Sequence, residues 1–185
     1  IIVDSVGEDM ALTRVKKVPT ANLVQGSSFL TSASSLAAAR FPAGTVIQTV
    51  FDTHDTQVST NQNGSYIDTG LEATITPTSA SNKILVSVFQ NGVYKDGSAV
   101  AGMQLRLERS GTVISQLAKR AGGDNGSGTA ATMSIGTVGN QVLDSPNTTS
   151  AITYKTSFIS ASNAATVYVQ VYTCDSTIIL QEIKV

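Results

Sequence analysis

The sequence predicts an all-β protein: an antiparallel, jelly-roll-like β-sandwich that follows an N-terminal extended arm. From Phe41 onward, apolar and polar residues alternate in short runs, as they do in strands that bury one face. Clusters of Gly, Asn, Ser and Pro separate these runs at regular spacing, which predicts about eight to ten strands. We therefore divide the chain into an arm, residues 1–40, and a β-sandwich head, residues 41–185.

The arm shows no alternation of period two. One short helix is expected near Thr31–Arg40, because Ala37–Ala39 favour helix and Ser27 or Ser28 can cap it. The arm is also too apolar for a solvated tail, so we expect it to dock on a partner surface. Its apolar side chains are Ile1, Ile2, Val3, Leu12, Val15, Leu23, Phe29, Leu30 and Leu36.

The start of the chain allows two interpretations. The stretch "MALTRVKK" from Met10 reads like a natural start. Ile1–Asp9 would then be upstream sequence, or the chain would be a fragment.

The strands of the head follow in order along the sequence. They are Thr45–Thr53, Leu71–Thr76, Asn82–Tyr94, Met103–Glu108, Thr112–Leu117, Ala130–Val138, Ile152–Phe158, Val167–Tyr172 and Thr177–Val185. The turn Pro77–Asn82 predicts that its two flanking strands form a hairpin. Ser110-Gly111 predicts a tight turn, and Ala121–Gly128 a flexible loop.

The apolar phase of the alternating strands predicts one buried core. Its expected members are Val86, Val88, Leu105, Leu107, Val167, Val169 and Ile183. A single cysteine, Cys174, excludes an intramolecular disulfide and zinc sites built from several cysteines. We expect Cys174 to be a small, partly buried residue near a turn.

Charge and hydropathy give no support for binding to nucleic acid or for insertion into a membrane. A net charge of −1 gives no electrostatic argument for nucleic acid or an anionic membrane. No apolar run reaches the roughly 18 residues of a membrane span. Charged residues make up 14% of the chain, compared with about 25% in typical soluble proteins. A surface of small neutral polar groups suits an outward-facing or permanently assembled protein.

Only weak candidates for catalysis or metal binding occur. Asp52, His54 and Asp55 could bind a transition metal, but a polar turn at a strand end is the favoured interpretation. A Ser-His-Asp triad would need this same His54, and no G-x-S-x-G elbow supplies its nucleophile. Glycosidase carboxylates could come from Asp52, Asp55, Asp68 and Glu72, which we expect on the solvated surface. We therefore predict no catalytic residues, no metal site, no cofactor and no enzymatic activity.

Tyr168 and Tyr172 share the face opposite the valines of their predicted strand. They could form a platform on which a sugar stacks, or a contact between subunits. The sequence favours the subunit contact.

Three stretches of the head resemble a known module. They are "PAGTVIQTV", "SYIDTGLEATITPTSASNKILVSVFQNG" and "STIILQEIKV". The pattern is similar to a recurring module of phage virion proteins, seen especially in tail fibres and related structural proteins of marine and cyanobacterial phages. The match covers Phe41–Val185. It implies a β-sandwich head, usually trimeric, without catalytic residues, so no functional residue is carried over.

Together these observations predict a non-enzymatic structural protein on the surface of a phage particle. We expect a homotrimer that docks on other virion proteins through residues 1–40, with no nucleic acid and no membrane insertion. A short tail fibre or receptor-binding tip, which would contact a host surface glycan or receptor, is slightly favoured. A capsid decoration or cement protein is the close alternative, and a carbohydrate-binding module is the third.

Overall fold

Ten strands, joined by turns, make up most of the part of the chain that the structure describes. This structure is a computed structural model, and it describes residues 41–97, 102–123, 132–162 and 165–185. The strands are β1 (Val46–His54), β2 (Val58–Thr60), β3 (Ile67–Ile75), β4 (Lys83–Gly97), β5 (Met103–Arg109), β6 (Thr112–Ala121), β7 (Met133–Asp144), β8 (Ile152–Ser160), β9 (Ala165–Val169) and β10 (Ser176–Ile183). A 3-10 turn, Val171–Thr173, lies between the last two strands. The predicted arm with its helix, and residues 124–128 of the predicted loop, lie outside the described residues.

The strands form two antiparallel sheets, and their order is that of a jelly roll. The first sheet contains the order β1–β10–β4–β7, and the second has the order β3–β8–β5–β6. Among these eight strands the chain crosses to the other sheet at each step except from β5 to β6, which pair with each other. This is the arrangement of a jelly roll, and it confirms the predicted fold class. The two short strands, β9 and β2, extend the first sheet: β9 pairs with the far half of β4 and β2 pairs with β9. Among the described residues, no helix is long and apolar enough to cross a membrane.

The predicted hairpin around Pro77–Asn82 is wrong. β3 pairs with β8 in the second sheet, whereas β4 pairs with β10, β7 and β9 in the first. The turn carries the chain from one sheet across to the other. Both strands alternate because each buries one face in the same interior, and alternation reports burial of a face rather than the identity of the neighbouring strand.

Burial follows the predicted apolar phase, but the core consists of two clusters. Val86, Val88 and Leu107 belong to the first cluster, and Leu105, Val167 and Val169 belong to the second. All six side chains are fully buried. Leu117 packs against both clusters, so they are neighbours within one sandwich.

A buried chain of hydrogen bonds lies between the two clusters. The Thr156 hydroxyl contacts the Thr69 hydroxyl at 2.5 Å and donates to Gln90 Oε1 at 2.9 Å. The Gln90 amide in turn donates to the Ser176 hydroxyl at 2.9 Å. Thr69 and Thr156 belong to the second sheet, and Gln90 and Ser176 to the first. This chain therefore links the sheets through the interior, with every one of its buried polar groups paired.

The prediction that Ile183 is a core residue is wrong, because β10 alternates regularly and its inward positions are the even-numbered ones from Ser176 to Glu182. Glu182 is fully buried, while Ile183 is only half-buried. The turn after β3 explains why a glutamate can occupy this inward position, since it supplies polar partners inside. One Glu182 oxygen accepts hydrogen bonds from Thr78 N–H and Oγ1, both at 2.8 Å, and from Asn82 Nδ2 at 2.6 Å. The other oxygen accepts from Gln48 Nε2 at 2.5 Å.

These four hydrogen bonds also set the protonation state of Glu182. Burial opposes ionisation of the carboxyl group, but the hydrogen bonds from Asn82, Gln48 and Thr78 outweigh it and hold the pKa below its ordinary value. The carboxylate is therefore charged at neutral pH. The Thr-Pro-Thr-Ser turn and the acidic residue of the last strand, which are far apart in the sequence, form one structural unit.

Candidate functional site

In the structure, the His54 side chain packs against a neighbouring strand. Its ring lies against Gly70 of β3, where an added Cβ would come within 2.2 Å of His54 Nε2. Asp52 is exposed and accepts a hydrogen bond from the Thr53 N–H at 2.8 Å, and Asp55 is exposed. Within the described ranges, no group of three His, Cys, Asp or Glu residues could hold a metal ion. His54 thus fills the gap where the first strands of the two sheets meet.

The predicted carboxylates Asp68 and Glu72 lie on the outer side of β3. Both are exposed, and Asp68 forms an ion pair with Lys155 of β8 at 2.9 Å. The hydrogen bond to Asp68 is the main cause of a raised Lys155 pKa. Such an exposed ion pair is a feature of solvated surface and is worth little in stability.

Three tyrosines, in contrast, form a surface cleft at the end of the sandwich where β4 and β9 pair. Tyr94 of β4 lies directly opposite Tyr168 of β9, and their rings pack edge to face with centroids 5.6 Å apart and planes at 70°. Tyr172, from the 3-10 turn, lines the same cleft and is 85% exposed. The cleft has a volume of about 270 Å³ and is completed by Gln57, Asp96 and Val171. We refer to it as the tyrosine cleft.

An unusual backbone presents Tyr172 to solvent. Gln170, Tyr172 and Thr173 all have left-handed conformations, with φ of 55°, 58° and 56°. Such values are uncommon for residues other than glycine, and each costs on the order of 1–2 kcal/mol. Three of them within four residues persist only where the surroundings fix the chain, and strain of this kind concentrates at functional sites.

Strand β4 provides that fixation. The Gln170 N–H donates to the Asn91 carbonyl at 3.0 Å, and the Cys174 N–H closes the turn on the Val171 carbonyl at 3.3 Å. Gly92 lies so close to the turn that an added Cβ would come within 2.6 Å of the Val171 nitrogen. A glycine at this position is therefore required by the close approach of two backbones.

A second cleft, of about 430 Å³, lies on the other side of Tyr172. Its lining includes Asn91, Thr137, Cys174 and Asp175. Asn91 is held at both ends of its amide: Nδ2 donates to the Asp175 carbonyl at 2.5 Å, and Oδ1 accepts from Thr137 Oγ1 at 2.7 Å. The prediction that Cys174 is partly buried is wrong, since it is exposed. The left-handed turn brings it to the surface.

Asp96 adds the only carboxylate of the tyrosine cleft as the structure describes it. It is exposed and accepts a hydrogen bond from Thr132 Oγ1 at 2.8 Å. The cleft thus combines exposed aromatic surface with an amide and a carboxylate, both able to hydrogen-bond hydroxyl groups. Those are the features that a sugar ring, with its apolar C–H faces and hydroxyl rim, can contact.

The sequence identified Tyr168 and Tyr172 as a pair but missed Tyr94, Gln57 and Asp96. Tyr94 could have been found only by knowing that β4 pairs with β9 along this register. Gln57 precedes a strand of three residues, which is too short for periodicity to detect. The structure therefore adds these residues to the tyrosine pair, for which the sequence favoured a contact between subunits over a sugar platform.

The chain is a jelly-roll β-sandwich with an aromatic cleft at one end. Its sequence matches no described protein family, and no curated protein is significantly similar to it. Solved structures that match part of the chain include that of infectious bursal disease virus Gt strain, with 15% identity and a TM-score of 0.35, covering 76% of this chain and 38% of that chain. Dimeric latent PorU from Porphyromonas gingivalis has 12% identity and a TM-score of 0.32, covering 77% and 14%. The infectious bursal disease virus VP2 subviral particle has 15% identity and a TM-score of 0.29, covering 76% and 38%. This chain spans less than half the length of each.

Proposed function

We propose that the protein is a non-enzymatic structural protein of a bacteriophage virion, and that its head attaches the particle to a glycan on the host surface. In this role it is a short tail fibre or receptor-binding tip, exposed on the particle. The observation that carries the proposal is the tyrosine cleft, in which a strained turn holds Tyr172 out in solvent beside Tyr94 and Tyr168. The resemblance of the head to a phage virion module supports it.

The size of the cleft fits a short stretch of polysaccharide. Its volume of about 270 Å³ lies just below the range of about 300–1,000 Å³ for sites of drug-sized ligands, so it accommodates one or two sugar rings. Tyr172 offers an aromatic face to the apolar side of a ring, and Gln57 and Asp96 are placed to bond its hydroxyls. An open cleft of this size is expected to bind with a Kd of about 1 mM.

Such weak binding is useful to an attachment protein only when several sites act together. The proposal therefore includes a homotrimer, in which three clefts face one repetitive surface and gain affinity by about 10²–10⁴-fold. The arm, residues 1–40, joins the trimer to other virion proteins. The small charged fraction of 14% supports an assembled state, because it leaves wide neutral surface for contacts.

A panel of purified bacterial surface polysaccharides, immobilised and probed with the full chain, tests glycan binding. We expect Tyr172→Ala to lower binding at least about 10-fold, since it removes the exposed aromatic face. Val113→Ala is the control, because Val113 is an exposed residue on β6 of the other sheet, away from the cleft. Equal binding by the Tyr172 variant and the wild type would contradict the proposed site, as would a wild type that binds none of the panel.

Two further roles are distinguished by the place of the protein in the particle. The low charged fraction also suits a capsid decoration or cement protein, which is permanently assembled. A carbohydrate-binding module without a virion role would use the same cleft. Antibody labelling at the tail tip, over the capsid or on neither separates the three.

A further inference from the structure

Tyr172 separates the tyrosine cleft from the second cleft. Val171 and Tyr172 line both clefts, so the two meet at one exposed side chain. Strand β4 also contributes to both, since Asn91 lines the second cleft and Asp96 lines the tyrosine cleft. At a rise of about 3.3 Å per residue, the path along the strand from Asn91 to Asp96 is at most about 16 Å. The clefts are therefore consecutive along β4, and one elongated ligand can lie in both.

The second cleft offers groups that can hydrogen-bond a sugar. Thr137 Oγ1 donates to Asn91 Oδ1 at 2.7 Å, which leaves the oxygen lone pairs of Thr137 to accept from a ligand hydroxyl. The Asp175 side chain is exposed, and its carboxylate can accept from further hydroxyls. Gly136 lines the same cleft, and a Cβ added there would have no other described atom within 4 Å. The space over this backbone is therefore free for a sugar ring.

The charges of the two clefts favour one class of sugar. Each cleft contains one carboxylate, Asp96 or Asp175, and neither contains a Lys or Arg among its described lining residues. An acidic sugar would bring a further negative charge to a surface without a cation to pair with it, so repulsion between like charges disfavours its binding. A carboxylate accepts hydrogen bonds from the hydroxyls of an uncharged sugar without that cost. The lining therefore favours a polysaccharide without acidic groups.

We propose that the two clefts are adjacent subsites for one chain of a non-acidic polysaccharide, which crosses over Tyr172. This inference rests on the proposed glycan binding and deepens it, because it names the length and the class of the ligand. Taken together, the volumes of about 270 and 430 Å³ lie well within the range of about 300–1,000 Å³ for ligand sites and accommodate about three to five sugar rings. The strained turn then holds Tyr172 where it contacts the middle of the ligand.

The single cysteine of the chain reports whether the second cleft is occupied. Cys174 is exposed and lines the second cleft but not the tyrosine cleft. The probes are the acidic and non-acidic polysaccharides of the binding panel, hydrolysed and separated into fragments of two and of six sugar units. Non-acidic six-unit fragments are expected to bind the full chain at least about 10-fold more tightly than two-unit fragments, because they fill both clefts. At about ten times their Kd, they should slow alkylation of Cys174 by iodoacetamide about 10-fold.

A variant of the second cleft provides an independent measurement. Asp175→Ala changes an exposed side chain and keeps the backbone carbonyl that accepts from Asn91 Nδ2. It should weaken binding of the six-unit fragment at least about 5-fold. Glu72→Ala removes an exposed carboxylate on β3 of the other sheet and should leave binding unchanged. Circular dichroism establishes that both variants are folded, and alkylation of the wild type provides the test if Asp175→Ala unfolds.

Affinity that rises with fragment length, together with protection of Cys174, would support the inference. Fragments that bind equally at both lengths and leave alkylation unchanged, yet lose binding in Tyr172→Ala, would confine the ligand to the tyrosine cleft. That result would overturn the inference but leave the proposed function standing. Tighter binding of acidic than of non-acidic polysaccharides would overturn the assigned class. A chain that binds no member of the panel would contradict the proposed glycan site and this inference together.

Discussion

Replacing Glu182 by glutamine should destabilise the head by about 2 kcal/mol at pH 7. The variant keeps the volume of the side chain but removes its charge. One oxygen of the glutamine can still accept from Thr78 and Asn82, which donate three hydrogen bonds to a single carboxylate oxygen in the wild type. The amide nitrogen would replace the other oxygen and face the donor Gln48 Nε2, which also donates to the Thr76 carbonyl at 2.8 Å.

The magnitude follows from this change of partners. One hydrogen bond to a charged acceptor is lost, which is worth about 1.5–3 kcal/mol, and three others weaken because their acceptor becomes neutral. A neutral amide is easier to bury than a carboxylate, and this offsets part of the loss. A net change of about 2 kcal/mol corresponds to a melting temperature lower by roughly 4–8 °C in a domain of this size.

The pH dependence provides the sharper test. Because the folded pKa of Glu182 is below the unfolded value of about 4.3, its contribution is complete above that value and is lost as the pH falls through the folded pKa. Urea unfolding at several pH values should therefore show a constant difference between wild type and Glu182→Gln from pH 5 to 8 and a shrinking one below about pH 4. Glu72→Gln, an exposed carboxylate on β3, should change stability by less than about 0.5 kcal/mol. A Glu182 variant as stable as this control at pH 7 would refute the reasoning.

Four other outcomes are expected. Leu105→Asp places an unpaired carboxylate at a position with no solvent exposure, so it should cost several kcal/mol and leave little folded protein by circular dichroism; near-normal stability would contradict the core assignment. Gly92→Ala should disturb the turn, because its Cβ would lie 2.6 Å from the Val171 nitrogen. We expect weaker glycan binding from a head that is still folded by circular dichroism, and unchanged binding would contradict the role of the turn. Purified protein should not cleave polysaccharide, and cleavage that His54→Ala abolishes would overturn the non-enzymatic proposal. A 41–185 fragment should fold and form trimers but fail to join particles, and normal incorporation would refute the docking role of the arm.

Local patterns predicted the strands and their buried phase where one face meets the interior. In β5, Met103, Leu105 and Leu107 are buried as their alternation predicts. The end of β7 was missed, because Gly139–Asp144 has no apolar alternation and is held as a strand by pairing with β4. Long-range pairing of this kind leaves no local signal.

The sequence predicted the fold class better than the interior or the site. The inward phase of β10 ends on a glutamate because hydrogen-bond partners arrive from a turn about one hundred positions earlier, as Thr78 and Glu182 are 104 residues apart. Hydropathy alone placed Ile183 inside. The tyrosine cleft likewise depends on a strained turn and on the register between β4 and β9, neither of which composition can reveal.

The proposed place of the protein in a phage particle is the central claim, and locating the protein tests it most directly. Antibodies raised against residues 41–185 would be applied to purified particles from the phage that encodes the chain, and gold label would be located by electron microscopy. The account predicts label at the end of the tail that contacts the host, with antibody blocking adsorption. Label confined to the capsid would contradict the attachment role, and particles without label would contradict a virion protein altogether.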